Sequence, residues 1–160
     1  MKYDLVIKNA KLVDENLNSF GSIGIKDGKI AAFADSKDTL DAYRVIDAEG
    51  RTLMPGVFDP HCHLGVNYDY DEDMRTEMAA AAIGGITTAF LYIRNKEGSY
   101  IPFYKDRRSR GEANSPIDFG FHFGIQREDH IHEIPAIARE TGVHSFKLYF
   151  GYEPDNPIGI

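Results

Sequence analysis

Pro55-Gly56-Val57-Phe58-Asp59-Pro60-His61-Cys62-His63 divides the chain into two patterns. Val57 to His61 reads as a buried-type strand, entered through a punctuating Pro-Gly pair. Beyond it the order is strand, loop, helix, strand. Glu72 to Ile83 is an Ala- and Met-rich helix with Asp71, Glu72 and Asp73 at its positive N-terminal end and Gly84-Gly85 stopping it. Ile86 to Ile93 reads as the second strand, Ser99 to Gly111 as a helix and Ile117 to Ile125 as the third strand. Glu128 to Thr141 reads as a helix with Ile131, Ile134, Ile137 and Ala138 on one face, and His144 to Phe150 as the fourth strand. Pro135 is expected to kink that last helix. Repeated β-α units give a parallel sheet with helices outside, so residues 56–160 read as α/β. A closed eight-stranded barrel takes about 250 residues. The expectation is therefore either a small open α/β domain or a truncated barrel.

Upstream, residues 1–55 read as β-structure. Tyr3 to Lys8 and Lys11 to Val13 are expected strands, and Ser22 to Lys26 is joined to Lys29 to Ala34 by Asp27-Gly28, a pair whose positive φ angles suit a two-residue hairpin. Arg44 to Asp47 and an extended Arg51 to Met54 complete this part.

Composition excludes several classes of function. The 160 residues carry 18 Lys+Arg against 25 Asp+Glu, a net charge of −7, so the chain has no basic footprint for nucleic acid or an anionic membrane. Hydrophobic residues at 42% and aromatics at 12% suffice for a packed core and exceed what a disordered chain carries. No apolar run reaches the roughly 18 residues that a membrane span needs. Met1 to Asp14 is charged throughout, unlike a signal peptide, and Cys62 is the single cysteine, so an internal disulfide is excluded and a cytoplasmic location is expected.

The chemistry concentrates at strand ends. Side chains two apart on a strand share a face, so His61 and His63 project together while Cys62 points away, and two imidazoles on one side make half of a metal site. The alternative is a pair of ordinary loop histidines. Lys147, in Ser145-Phe146-Lys147-Leu148-Tyr149-Phe150, is a lysine inside an apolar strand, costly if charged and unpaired. It either snorkels or pairs with an acid, or its neutral amine has taken up CO2 as a carbamate able to bridge two cations.

The nine residues quoted first resemble the metal-binding start of the cyclic amidohydrolases, the family of dihydropyrimidinase, hydantoinase, allantoinase and dihydroorotase. Asp118-Phe119-Gly120-Phe121-His122, with Ser145-Phe146-Lys147 followed by Tyr152, resembles the hydantoinase and dihydropyrimidinase branch. The resemblance implies a (β/α)8 TIM barrel whose first four β-α units are residues 56–160, preceded in 1–55 by part of a small β-sandwich. It implies two divalent metal ions, of the zinc type, held by His61, His63 and a CO2-derived carbamate on Lys147, with Tyr152 stabilising the oxyanion. By the same resemblance the substrate is a small cyclic amide, opened by a hydroxide bridging the metals, and the protein is a homo-oligomer, a tetramer. Two further histidines and a catalytic aspartate would come from later strands, so the chain alone is expected to be truncated and inactive. Dihydroorotase binds a ring carboxylate and its pattern places an arginine soon after the histidine pair, whereas Leu64, Gly65, Val66 and Asn67 follow here, so a neutral ring, a dihydropyrimidine or hydantoin, is favoured. An allantoinase- or dihydroorotase-like amidohydrolase, a non-catalytic scaffold of the same fold, and a stand-alone binding module are the alternatives. Retention of His61, His63 and Lys147 together argues against the scaffold.

The remaining polar residues read as structural. Asp69, Asp71 and Asp73 alternate like a calcium loop but are followed by Met74 where glycine is required, so they read as a solvated helix start. Asp59 reads as orienting the histidine strand, Cys62 as packing, His122 as either lining the barrel mouth or a core histidine, and His130 and His132 as surface residues.

Overall fold

The computed structural model describes residues 1–35 and 37–148. It divides into two compact units, the first Met1–Pro55 and the second beginning at Gly56.

The first unit is a β-sheet of order β3-β2-β1-β4, formed by β1 (Tyr3–Val13), β2 (Asn18–Lys26), β3 (Lys29–Asp35) and β4 (Ala42–Asp47), with β5 (Thr52–Leu53) also paired to β1. β2 and β3 close a hairpin in which Lys26 faces Lys29, and both turn residues take positive φ, Asp27 at 51° and Gly28 at 71°. That is the type I′ geometry, which matches the right-handed twist of the flanking strands. The two separate strands expected before residue 14 are one bent strand. Asn9 takes a φ of 55° at an irregularity between Ile7 and Ala10, and its side-chain amide donates to both Asp47 carboxylate oxygens at 3.0 and 2.9 Å, so the bend is tied down rather than being a break. Ala10, Leu12 and Ile23 form the buried centre of this unit.

The second unit is a parallel sheet whose strands lie side by side in chain order: β6 (Val57–Cys62), β7 (Ile86–Ile93), β8 (Asp118–Gly124) and β9 (Phe146–Lys147). Helices α1 (Tyr70–Ile83), α2 (Tyr100–Asn114) and α3 (Glu128–Thr141) fill the connections. The starts of α1 and α2 carry side-chain caps, whereas Arg127 before α3 makes none. Asp69 accepts from the backbone N–H groups of Asp71 and Glu72, and Ser99 accepts from that of Ile101. Glu133 reaches from α3 to accept from the Ser99 hydroxyl and the Tyr100 N–H, both at 2.8 Å. The α3 helix runs through Pro135 and ends at Gly142 in the left-handed conformation, φ 71°.

Alternation along the strands decides where the helices pack. Ala89, Leu91, Ile93, Phe121 and Phe123 are all buried and join Met74 and Met78 of α1, Tyr100 of α2 and Ile137 of α3 in one core. Three successive crossovers thus lie on the same side of the sheet, the arrangement of a barrel wall and not of a doubly wound sheet, which alternates its helices between faces. Fully burying each such large side chain contributes about 1.5–3 kcal/mol.

Two sequence expectations change here. His130 is fully buried, its ring 4.5 Å from that of Tyr100 and its Nδ1 accepting from the Gln126 N–H at 3.3 Å, whereas Ile131 is 43% exposed. The buried stripe of α3 therefore includes His130 and Ile137, one helical face, and the polar residue type concealed it. Asp73 is buried rather than solvated, because its carboxylate accepts the Gly65 N–H at 2.8 Å. The fourth strand comprises Phe146–Lys147, and Tyr149, Phe150 and Tyr152 lie outside the described residues.

Candidate active site

The face of the sheet opposite the helices carries Phe58, Phe90, Tyr92 and His122, whose rings touch in sequence across three strands. Centroid separations are 5.0 Å for Phe58–Phe90, 5.2 Å for Phe90–His122 and 4.5 Å for the stacked Tyr92–His122 pair. Phe58 and His61 differ by an odd number of residues, so a regular strand would send them to opposite faces. A bulge resolves this: β6 advances from Asp59 to Cys62 while β7 advances only from Ala89 to Leu91. The extra residue falls at Pro60, which lacks a ladder donor and suits an irregularity on an edge strand. Its effect is to turn His61 and His63 toward the ring-lined face while Cys62 packs against the helix-side core, where burial pushes its thiol pKa up.

His61 and His63 then meet, Nε2 to Nε2, at 3.0 Å. Both pack on Tyr92, with centroids at 4.4 and 5.4 Å, and the Lys147 ammonium lies over the same ring at 4.3 Å from its centroid. All three candidate ligand side chains therefore share one aromatic wall at the C-terminal ends of β6, β7 and β9. Tyr92 is the hub that sequence reasoning did not single out; the one available signal was its place at the end of a strand, out of phase with the buried Leu91 and Ile93.

Two groups fix the histidine segment. The Asp59 carboxylate accepts the backbone N–H of His61 at 2.9 Å. His122 bonds through Nε2 to the Pro60 carbonyl at 3.0 Å and through Nδ1 to the Ser145 hydroxyl. A carbonyl only accepts, so His122 Nε2 is the donor, and in the neutral ring Nδ1 accepts from Ser145.

The donors suit a divalent metal. Tetrahedral zinc with Zn–N bonds near 2.0–2.1 Å separates two imidazole nitrogens by about 3.3 Å, close to the distance already present between His61 and His63. Burial pushes the His63 pKa down, and the positive charges of Lys147 and Arg94 push it the same way, favouring the neutral imidazole that ligation requires. Among the described residues no three His, Cys, Asp or Glu side chains converge. Among the same residues, no helix is long and apolar enough to cross a membrane.

No protein-family model matches the chain. Individual relatives do. The D-hydantoinase of Geobacillus stearothermophilus is 31% identical over 154 residues, 92% of this chain and 32% of that protein. The dihydroorotase of Methanothermobacter thermautotrophicus is 35% identical over 149 residues, again 92% of this chain and 32% of that protein. The solved L-hydantoinase (dihydropyrimidinase) of Arthrobacter aurescens superposes with a TM-score of 0.81 at 26% identity, covering 96% of this chain and 35% of that one. The chain thus spans about a third of the length of the relatives it matches. Helices on one side of a chain-ordered parallel sheet, with similarity of sequence and structure along nearly all of the chain's length, support the cyclic amidohydrolase family and the fold of a TIM-barrel segment.

Proposed function

We propose that the protein hydrolyses the amide bond of a small cyclic amide, of dihydropyrimidine or hydantoin type, at a metal centre built on His61, His63 and a carboxylated Lys147. The observation that carries this reading is the meeting of the two imidazoles at 3.0 Å on a ring that also holds the Lys147 ammonium. A pair of divalent ions, zinc by preference, supplies polarisation of the ring carbonyl and activation of water when bound. The chain's own residues prepare the place. Asp59 and His122 hold the N–H and the C=O of the Pro60–His61 peptide, the unit that leads into the histidine pair, so that segment is fixed before any metal arrives. The Lys147 amine adds CO2 and releases a proton, which replaces a positive charge beside the histidines with a carboxylate-like group of two oxygens. Tyr152, five residues on, donates to the oxyanion as the ring carbonyl becomes tetrahedral. The reading carries with it a cytoplasmic homo-oligomer.

Hydrolysis of dihydrouracil and hydantoin by the zinc-supplemented full-length protein tests it, with bound zinc measured on the same samples. His61→Ala and His63→Ala should each lower metal content and turnover together. Full metal occupancy in both variants would return the pair to ordinary loop residues.

A further inference from the structure

In the sheet order β6-β7-β8-β9, the strand that leads to the histidine pair and the strand that carries Lys147 are separated by β7 and β8. Among the described residues no backbone ladder joins β6 to β9, so the distance between the two halves of the centre is not set by strand pairing alone. A side chain crosses the gap. The His122 ring stacks on Tyr92 of β7 with centroids 4.5 Å apart, and its nitrogens reach opposite ways, Nε2 to the Pro60 carbonyl at 3.0 Å and Nδ1 to the Ser145 hydroxyl. One rigid imidazole thus spans from β6 to the residue before β9.

Ser145 sits where this span bears on Lys147. Residues two apart on an extended chain share a face, and the Ser145 hydroxyl and the Lys147 ammonium both lie on the side lined by His122 and Tyr92. The Ser145 and Lys147 carbonyls accept from the Phe123 and Ile125 N–H groups at 3.0 and 2.9 Å, which fixes this stretch along β8. The Ser145–His122–Pro60 chain then fixes it relative to β6. Both of its bonds need the same neutral tautomer, with the hydrogen on Nε2 and Nδ1 accepting from Ser145. Ligand side chains have to be held within about 0.5 Å of their productive geometry, so a link that joins two ligand strands acts on the site between them.

We propose that Ser145 is a positioning residue for Lys147: acting through His122, it sets the lysine strand against the histidine strand, so that the carboxylated side chain meets the metal held by His61 and His63. The inference rests on the metal-centre reading and gives a role within it to a residue that binds no metal itself.

Full-length protein supplied with zinc and isotope-labelled bicarbonate reports on both halves of the centre, zinc affinity by competitive chelator titration and the Lys147 carbamate by carbon NMR. Ser145→Ala should weaken zinc binding by about tenfold and lower the carbamate signal with it, whereas Ser145→Thr, which keeps the hydroxyl, should retain both. His122→Phe cuts the same link in its middle, so in that background Ser145→Ala should cost little further affinity, as for residues that act through one contact. Urea unfolding of the same samples ensures that affinities are compared between folded proteins. Wild-type zinc affinity and carbamate signal in Ser145→Ala, a folded Ser145→Thr as impaired as Ser145→Ala, or losses that add in the double variant would each overturn the positioning role and leave the metal centre intact. A wild type that takes up neither zinc nor carbamate would overturn the metal-centre reading, and the positioning role with it.

Discussion

Pro60 and His61 are held from two directions, and the individual hydrogen bonds give this hold testable consequences. His122→Phe keeps an aromatic ring against Tyr92 but removes the donor to the Pro60 carbonyl and the acceptor for Ser145. The exposed Pro60 carbonyl can turn to water while the half-buried Ser145 hydroxyl loses its partner, so the variant should lose about 1 kcal/mol in urea unfolding. The more specific readout is metal affinity, since groups that orient ligands typically change it by about tenfold to a hundredfold. His122→Phe and Asp59→Ala should both weaken zinc binding by about that much in a competitive chelator titration. Unchanged affinity in both would assign the contacts to folding alone. Lys147→Ala should lose metal as well, and acetate at high concentration should restore part of it by standing in for the missing carboxylate; no loss of metal would remove Lys147 from the centre.

At the level of elements, α3 and the β6–α1 loop show where the sequence was legible and where it was not. The helices and strands were readable because period-2 and period-3.6 patterns are properties of short windows: Ile86–Ile93 and Glu128–Thr141 were found with the bounds they have. The bulge at Pro60 was not, since register is a relation between β6 and β7 and no single window contains it. His130 was misplaced for a related reason, its burial being created by Tyr100 of a different helix. That burial pushes the His130 pKa below its ordinary value. The unfolded chain therefore takes up a proton near pH 6.5 while the folded one does not, so stability present above that pH should fall as pH drops through the lowered folded value. The urea midpoint should decline between pH 7.5 and pH 5.5 more steeply in the wild type than in His130→Leu; parallel profiles would contradict the assignment. Gly65 makes a second element-scale prediction. Its φ is +66° and an added Cβ would lie 2.9 Å from Tyr70 Cβ, so Gly65→Ala should cost about 1–3 kcal/mol in the same assay.

For the molecule as a whole, the two units answer to different rules: one sheet built from a hairpin and parallel crossings, the other a parallel sheet with every helix on one side. The His-x-His pair and the lysine in an apolar strand were visible as residue types, and the parallel order of the strands is what brings them to one end of the sheet. The link from Pro60 through His122 to Ser145 was invisible, because its members come from β6, β8 and the residue before β9. The central claim is that this end of the sheet is a metal centre. Anomalous diffraction at the zinc absorption edge, from crystals of the full-length protein grown with zinc, tests it most directly. The account predicts a peak within about 2.0–2.1 Å of both His61 Nε2 and His63 Nε2, with density for a carboxylated Lys147 beside it. Zinc bound elsewhere, or no peak with the two imidazoles still in contact at 3.0 Å, would contradict it.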